Sequence, residues 1–577
     1  MHGNHVLFSL SCSSFFPPFI LCLAVHRALH PHLRPLMLGA LACRGRMAHL
    51  NVYHRSWRPI VSRLASVRCN HVDTGTLDFA RRNAAIAREP DRFYPSLSQL
   101  PPPTTSVAHF LDRYANLDAD RPENQECVRG RIVSVRTLGK NMSFVTLEAA
   151  ARRVQLILNY NVMAAHSPGL TRAQFADTAA ALRPGDHLQA SGFPGVSQRE
   201  RTLSLKCTTP VVLLAPATRP LPPRLEDPIK RAQNRVLDYL VNGHETLRLR
   251  GAVLRALREF LDARDFVEVE TPMLTARSNG AAAEPFVTHA RANDTRLELR
   301  VAPELWLKRL VVAGVDRVYE LGRVFRNEGV DATHNPEFTT LEFYQAYASM
   351  SDLISLSEQL FLHVLRSVDT PRAHQLLEQL ACNGNQFQRI EFLPTLQRET
   401  NIDFEAIDLS NPHEIARALK DKDIHLPSHV KSPQQMLNAL CARYIESKYC
   451  ESLLPTVIYH HPTVMSPLAK GNPADGLRTT KRFEIFICGK EYINAYEEEN
   501  CPQRQLDKFI AQQKSHQLYG DKESLAIDTP YVEAMKWGMP PIGGFGLGVD
   551  RLCMLLAGKD RIEQVLSFGT IDDVDRQ

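Results

Sequence analysis

Two arginines and two glutamates, far apart along the chain, have the charges that triphosphate chemistry needs: Arg326, Arg551, Glu484 and Glu491. Arg326 belongs to the stretch 319–344 (YELGRVFRNEGVDATHNPEFTTLEFY), which also supplies Glu328, His334, Phe338, Glu342 and Tyr344. An arginine there can neutralise charge on a phosphate as a five-coordinate phosphorus forms. Phe338 offers a ring on which a base can stack. Arg551 lies near the end of the run 543–552 (GGFGLGVDRL), whose glycines let backbone approach a ligand closely, and it can serve the other end of a triphosphate. Glu484 and Glu491 lie on neighbouring strand-like runs and could hold Mg²⁺ through oxygen. The glycine spacing is wrong for a dinucleotide-binding turn, and the chain has no GxxxxGKS phosphate loop. Each piece alone has a plainer explanation. FRNE could be a surface ion pair, the glutamates solvated strand residues, the glycines a tight turn, and His334 before Asn335-Pro336 a turn cap.

These residues need a framework. From residue 226 onward helices alternate with strands. A helix is expected over 246–265, with Leu249, Val253, Leu257, Phe260 and Leu261 on one face. It leads into a strand over 266–270 that stops at Thr271-Pro272. Strand-like runs recur at 318–326, 338–346, 482–487 and 491–496, and a helix starts near Gly548. Alternation puts Phe338, Glu342 and Tyr344 on one face of a strand. Residues 350–455 look mainly helical and offer no evident site. Upstream, 107–215 contains a short helix near 107–117 and then five strand-like runs, with a helix near 171–182 between the third and fourth. That pattern suggests an OB barrel or another small β domain. Proline-rich linkers are expected within 73–106 and at 216–225, so the division is leader 1–72, linker 73–106, barrel domain 107–215, linker 216–225 and catalytic domain 226–577.

At 577 residues the chain is too long for one ordinary core. Its 12 cysteines form no CxxC pair, which favours free thiols over a disulfide framework. Residues 1–72 contain no Asp or Glu but carry arginines at 27, 34, 44, 46, 55, 58, 63 and 68, while the formal net charge of the whole chain is only +5. The body after Asp73 is therefore net negative, and any RNA contact must come from local patches. An arginine-rich, acid-free start is what a mitochondrial targeting segment needs. From Met47, Trp57, Ile60, Val61 and Leu64 can share a helical face, with Arg58 and Arg63 off it. The competing reading, a secretory signal or anchor over 6–25, is broken by Pro17-Pro18 and lacks a cationic start. No other stretch reaches transmembrane length.

APELWLKRL (302–310), VFRNEG, HNPEFTTLEFYQAYA and GFGLGVDRL, in this order, closely resemble class II lysyl-tRNA synthetases, as do MSPLAK (465–470) and RFEIFICGKEYINAYEE (482–498). The likeness covers about 107–577 and points to the mitochondrial type. It implies an α+β fold, with an antiparallel catalytic sheet flanked by helices and an N-terminal OB barrel that grips the anticodon. By similarity, Arg326 contacts the α-phosphate and the substrate carboxylate, Glu328 and His334 flank ATP, Phe338 and Arg551 cover the adenine, and Glu484 and Glu491 hold Mg²⁺. Gly280 and Glu304 would take the α-ammonium of lysine, and Asn494 its carboxylate. Glu342, Tyr344 and Glu498 would take the ε-ammonium. Arg131, Phe144 and Gln155 match anticodon contacts of tRNA(Lys), although Phe144 could equally be a core strand residue. Motif 1 around Pro272 implies a homodimer.

Carboxylates at 304, 342 and 498 also argue for the substrate independently. An unpaired buried carboxylate is costly, so the pocket calls for a cation with two amines. Aspartyl and asparaginyl synthetases share the barrel and the later motifs but differ at APEL, Glu342 and Glu498. A lysine ligase acting on protein would match only the catalytic half. A non-catalytic RNA-binding relative should have lost Arg326, Arg551 or the paired acids. Three departures from the family stand out: Glu284 before Pro285-Phe286, where a basic residue is usual, Glu497, where serine is common, and SFGTI near the C-terminus, where many relatives have a phenylalanine-proline turn.

Overall fold

The computed structural model describes residues 74–574, apart from 198, 278, 282 and 521–524. The targeting segment expected over 1–72 therefore lies outside the described residues. The chain divides into two compact units near residues 220/221, within the proline-rich stretch 216–225.

In the first unit β1 (Glu126–Leu138), β2 (Met142–Ala149), β3 (Arg152–Asn159), β4 (His187–Val196) and β5 (Leu203–Cys207) are joined in the order β1-β2-β3-β5-β4. The ring closes because β4 returns to β1, antiparallel, from Glu126↔Gly192 to Arg131↔His187. A sixth strand, β6 (Val212–Ala215), adds to the far side of β4. The run expected as one strand over 203–214 is split in two, since Pro210 has no N–H for a ladder. Val128, Ile132, Val145, Leu147, Val154 and Leu156 fill the barrel. Two helices, not one, separate β3 from β4: α3 (Tyr160–His166) and α4 (Arg172–Ala181), the latter held by a Thr171/Gln174 capping box. The span 73–106 is not the bare linker expected. It contains α1 (Thr74–Arg88), whose Arg82 pairs with the buried Asp186 at 2.6 Å, ahead of α2 (Val107–Arg113).

The second unit is built on an eight-stranded sheet of order β13-β14-β15-β16-β17-β12-β11-β7. Its strands are β7 (Val267–Glu268), β11 (Arg317–Phe325), β12 (Glu337–Ala346), β13 (Gln388–Glu391), β14 (Thr456–Tyr459), β15 (Arg482–Ile487), β16 (Lys490–Glu497) and β17 (Ile542–Gly548). The interior pairings are antiparallel, and the two outermost, β13–β14 and β7–β11, are parallel. A small antiparallel sheet of β8 (Leu274–Thr275), β9 (Val287–Ala290) and β10 (Thr295–Leu299) precedes α6 (Glu304–Val312). The strand expected over 266–270 shrinks to Val267–Glu268, where only one neighbour is available to pair.

One face of the large sheet packs on α5 (Glu245–Asp262), α7 (Met350–Ser367) and α8 (Pro371–Cys382). Val253, Leu257, Phe260 and Leu261 of α5 are buried against Tyr319, Leu341 and Phe343. Each such side chain contributes roughly 1.5–3 kcal/mol. Residues 350–455 are mainly helical, with α9 (Phe392–Thr400), α10 (Pro412–Asp421) and α11 (Pro433–Cys441), but β13 emerges from them to extend the sheet. α12 (Pro502–Tyr519), α13 (Thr529–Met535) and α14 (Val549–Ala557) complete the unit. Among the described residues, no helix is long and apolar enough to cross a membrane.

Candidate active site

The opposite face of the sheet floors a cavity of about 800 Å³. Alternation along β12 decides which side chains reach it. Leu341 and Phe343 enter the core, where Phe343 stacks on Phe545 at 4.3 Å, while Phe338, Thr340, Glu342 and Tyr344 line the cavity. β17 lies beside this row, pairing Glu342 with Gly546 and Tyr344 with Gly544. Glycine is required at 544: a Cβ there would overlap Glu498 Oε1 and lie 2.7 Å from Tyr344 Cε1.

At the phosphate end, Arg326 leaves β11 and its guanidinium rests over the Phe338 ring at 5.2 Å. Its Nε is buried without a hydrogen-bond partner. No Arg326–Glu328 ion pair forms among the described residues, and Glu328 stands exposed at the rim. Arg551, from the first turn of α14, donates to the Glu491 carbonyl at 2.8 Å and to His334 Nε2 at 2.7 Å. Arginine can only donate, so Nε2 accepts and the ring N–H lies on Nδ1, where Asp331 Oδ2 accepts it at 2.8 Å. Backbone N–H of Thr333 and the His334 ring hold the Asp331 carboxyl well below its usual range. Asp331 also accepts the His334 N–H, so it shapes the turn as well as the tautomer. The sequence hinted at this only through an i, i+3 spacing.

Glu484 and Glu491 reach one surface because of a bulge. Glu484 pairs with Asn494 and Ile485 with Ile493, but Phe486 then pairs with Glu491, skipping Tyr492. In strict alternation Glu491 would face away from Asn494; the bulge sends Tyr492 into the core and Glu491 into the cavity. Burial, and then the neighbouring Glu484, push Glu491 up. Burial alone would raise Glu484 too, but Arg482 and His461 hold it low. Two carboxylates on one cavity wall are a hard oxygen donor set of the kind that would suit Mg²⁺. Among the described residues no group of three or more candidate ligands forms. Arg482, which sequence reasoning passed over, organises this corner. It binds Glu484, the Met465 carbonyl at 2.7 Å and Asn494 Oδ1 at 3.1 Å, leaving Asn494 Nδ2 as a donor. Glu446, from the helical region thought to hold no site, also lines the wall.

At the other end Gly280 has φ +102°, a conformation other residues rarely adopt, and a Cβ there would lie 3.3 Å from Glu304 Cβ. Glu304, Glu342 and Tyr344 line this end. Tyr344 donates to Glu342 Oε2 at 3.1 Å. Burial, and then Glu304, raise Glu342 to about 8. The carboxylates are not all unpaired, as the sequence argument supposed. Lys308, on α6, binds Glu304 at 2.5 Å and also Glu498, which lies fully buried behind the wall. Glu304 accepts from Tyr496 as well, at 2.6 Å. Glu497 turns the other way, and its Oε1 accepts the Met350 N–H at the start of α7.

On the barrel, Arg131, Phe144 and Gln155 sit on neighbouring strands, in the rows that alternate with the buried ones. Phe144 is not a core residue: its ring is half-buried beneath the Arg136 guanidinium at 5.1 Å. Gln155 Oε1 accepts from Ser204 at 3.0 Å.

A hairpin bearing Arg326, a glycine strand leading to Arg551, and an antiparallel sheet between them define a class. The chain belongs to the class II tRNA synthetases of the D, K and N type, whose family model matches residues 227–572. It is similar to the mitochondrial lysine–tRNA ligase of Saccharomyces cerevisiae, at 45% identity over 547 residues, 88% of this chain and 94% of the relative. It is also 38% identical over 481 residues to a lysine–tRNA ligase of Streptococcus pneumoniae, covering 81% and 92% of the two chains. Identity to the mitochondrial lysine–tRNA ligase of Schizosaccharomyces pombe is 35% over 509 residues, 86% of this chain and 93% of the relative.

Proposed function

We infer that this chain is a mitochondrial lysine–tRNA ligase that activates lysine with ATP and charges tRNA(Lys) in the matrix. The observation that carries this reading is one cavity with arginines at one end and the carboxylates of Glu304 and Glu342 at the other. A lysine carboxylate oxygen attacks the α-phosphorus of ATP, releasing pyrophosphate and forming lysyl-adenylate. The terminal 3′-hydroxyl of the tRNA then attacks the adenylate carbonyl and AMP leaves. Arg326 offsets charge on the α-phosphate and orients the carboxylate with Asn494. Arg551 and His334 steady the far end of the triphosphate, Glu328 borders it, and Phe338 stacks on adenine. Gly280 and Glu304 take the α-ammonium, and Glu342, Tyr344 and Glu498 the ε-ammonium. Mg²⁺ held by Glu484 and Glu491 would draw charge from the phosphate oxygens. Positioning and charge stabilisation suffice, with no covalent enzyme intermediate.

The decisive experiment is lysine-dependent exchange of labelled pyrophosphate into ATP, with aspartate and asparagine as controls. Exchange with aspartate but not lysine would overturn the reading. Lysine binding must ionise Glu342, so lysine KM is expected to fall by up to about tenfold per pH unit up to about pH 8 and then level off. The linkage has the opposite sign for the free enzyme. A raised carboxyl stabilises the fold below its unfolded value and loses that contribution as pH rises through about 8. Lysine-induced thermal stabilisation should therefore grow from pH 6 to 8, and a flat profile would remove Glu342 from the pocket.

Arg131, Phe144 and Gln155 form the anticodon contact, with Phe144 stacking on a base. Phe144→Ala is expected to weaken tRNA charging by about 5- to 100-fold, in line with roughly 1–3 kcal/mol per stacked base, while exchange is unchanged. Equal loss of both activities would remove the assignment. A homodimer forms through the β7–β10 region, where Val267, Met273, Leu274 and Val287 are each about half exposed.

A further inference from the structure

Lys308 is an ammonium group with no access to solvent, carried on α6 one turn beyond Glu304. Its Nζ contacts Glu304 at 2.5 Å and Glu498 Oε2, and lies 5.8, 5.4 and 6.0 Å from the ring centres of Tyr344, Tyr496 and Tyr531. Those rings come from β12, β16 and α13, so three separate elements face the same cation. Lys308 does not line the cavity; Glu304 does, and Glu498 sits directly behind Gly544.

Such a residue is more than a filler. An apolar side chain would suit a buried position far better unless the charge is needed. Burial alone would lower the Lys308 ammonium, yet the two carboxylates more than offset that and raise it. Burial raises Glu498 more than Lys308 lowers it, but an ammonium against both carboxylates favours the ionised set.

We propose that Lys308 is a positioning residue that sets the charge of the amino-acid pocket, cancelling one of the three carboxylates so that the remainder matches two substrate ammonium groups. The inference rests on the lysine reading of this cavity and adds to it the reason why a site for a cation contains a cation of its own. With Lys308 in place, Glu304, Glu342 and Glu498 leave two net negative charges when ionised. A diamino acid neutralises these with its α- and ε-ammonium, while its carboxylate is met by Arg326. Lys308 acts through Glu304 and Glu498, fixing one oxygen of each.

Charge matching makes a claim that packing alone does not: removing Lys308 should rescue the loss of Glu498. The test compares full-length parent, Lys308→Met, Glu498→Gln and the double variant by pyrophosphate exchange, with KM measured for lysine and for ATP. Each single change mismatches the pocket by one charge and is expected to raise lysine KM about 10- to 100-fold, leaving ATP KM unchanged. The double variant restores the count and should recover at least about tenfold of that loss. Relative to the parent, the Lys308→Met penalty on lysine KM should shrink as pH falls, because protonating the surplus carboxylate restores the count. A double variant no better than the worse single overturns the inference. If Lys308→Met does not fold, the comparison of Glu498→Gln with the double variant still decides. A parent without lysine-dependent exchange would instead defeat the functional reading on which the inference rests.

Discussion

Arg326→Ala abolishes lysine-dependent pyrophosphate exchange while leaving the protein folded. The expected fall in kcat/KM is about 10³- to 10⁵-fold, the range for an arginine that stabilises a phosphoryl-transfer transition state. The guanidinium lies on the Phe338 ring, and its Nε is buried with no acceptor. A buried charged donor left unsatisfied costs stability, so its acceptor arrives with the substrate. Removing it should not destabilise the free enzyme, and urea unfolding should show parent-like or slightly higher stability. Arg326→Lys recovers little, because an ammonium cannot reproduce the planar fork. Full exchange activity in the alanine variant would remove Arg326 from the phosphate site.

Arg250→Met is expected to lower unfolding stability by about 3–5 kcal/mol, the cost of stranding one member of a buried ion pair. Arg250 lies on the inner side of α5 and binds Asp550 and Thr339 Oγ1, while Asp550 accepts the Thr339 N–H at 2.6 Å. Three segments distant in sequence meet at this knot: α5, β12 and the start of α14. Asp550 is the residue before Arg551, so the loss should also reduce exchange by loosening the arginine over the site. Urea midpoints measure the first effect. Replacing both partners, as in Arg250→Met/Asp550→Leu, should recover part of the stability but not the activity. A midpoint within experimental scatter of the parent would show that the pair does not hold these elements together.

Much of this was legible because it depends on local periodicity. β15 occupies the expected run, β12 starts one residue before its own, β11 and β16 differ from theirs by one residue at each end, and α5 buries the face its apolar spacing marked. Alternation alone aimed Phe338, Glu342 and Tyr344 at one side of the sheet. The barrel could be seen as strands but not as a closed ring, since closure depends on the β1–β4 pairing between segments about sixty residues apart. The helix α1 was hidden within a span marked as linker by its prolines, all of which lie beyond the helix, from Pro90 onward.

By itself, the sequence determined the order of the elements, the faces they bury and the residue types available for phosphate and ammonium chemistry. Those follow from side-chain size, polarity and repeat length, which act over a few residues. Tertiary structure decided the rest. A one-residue bulge turned Glu491 toward Glu484, Asp331 set the His334 tautomer beneath Arg551, and Lys308 came to rest between Glu304 and Glu498. Each outcome depends on charges brought within a few ångströms after burial, where low polarisability makes their interaction strong, and no spacing along the chain encodes that distance.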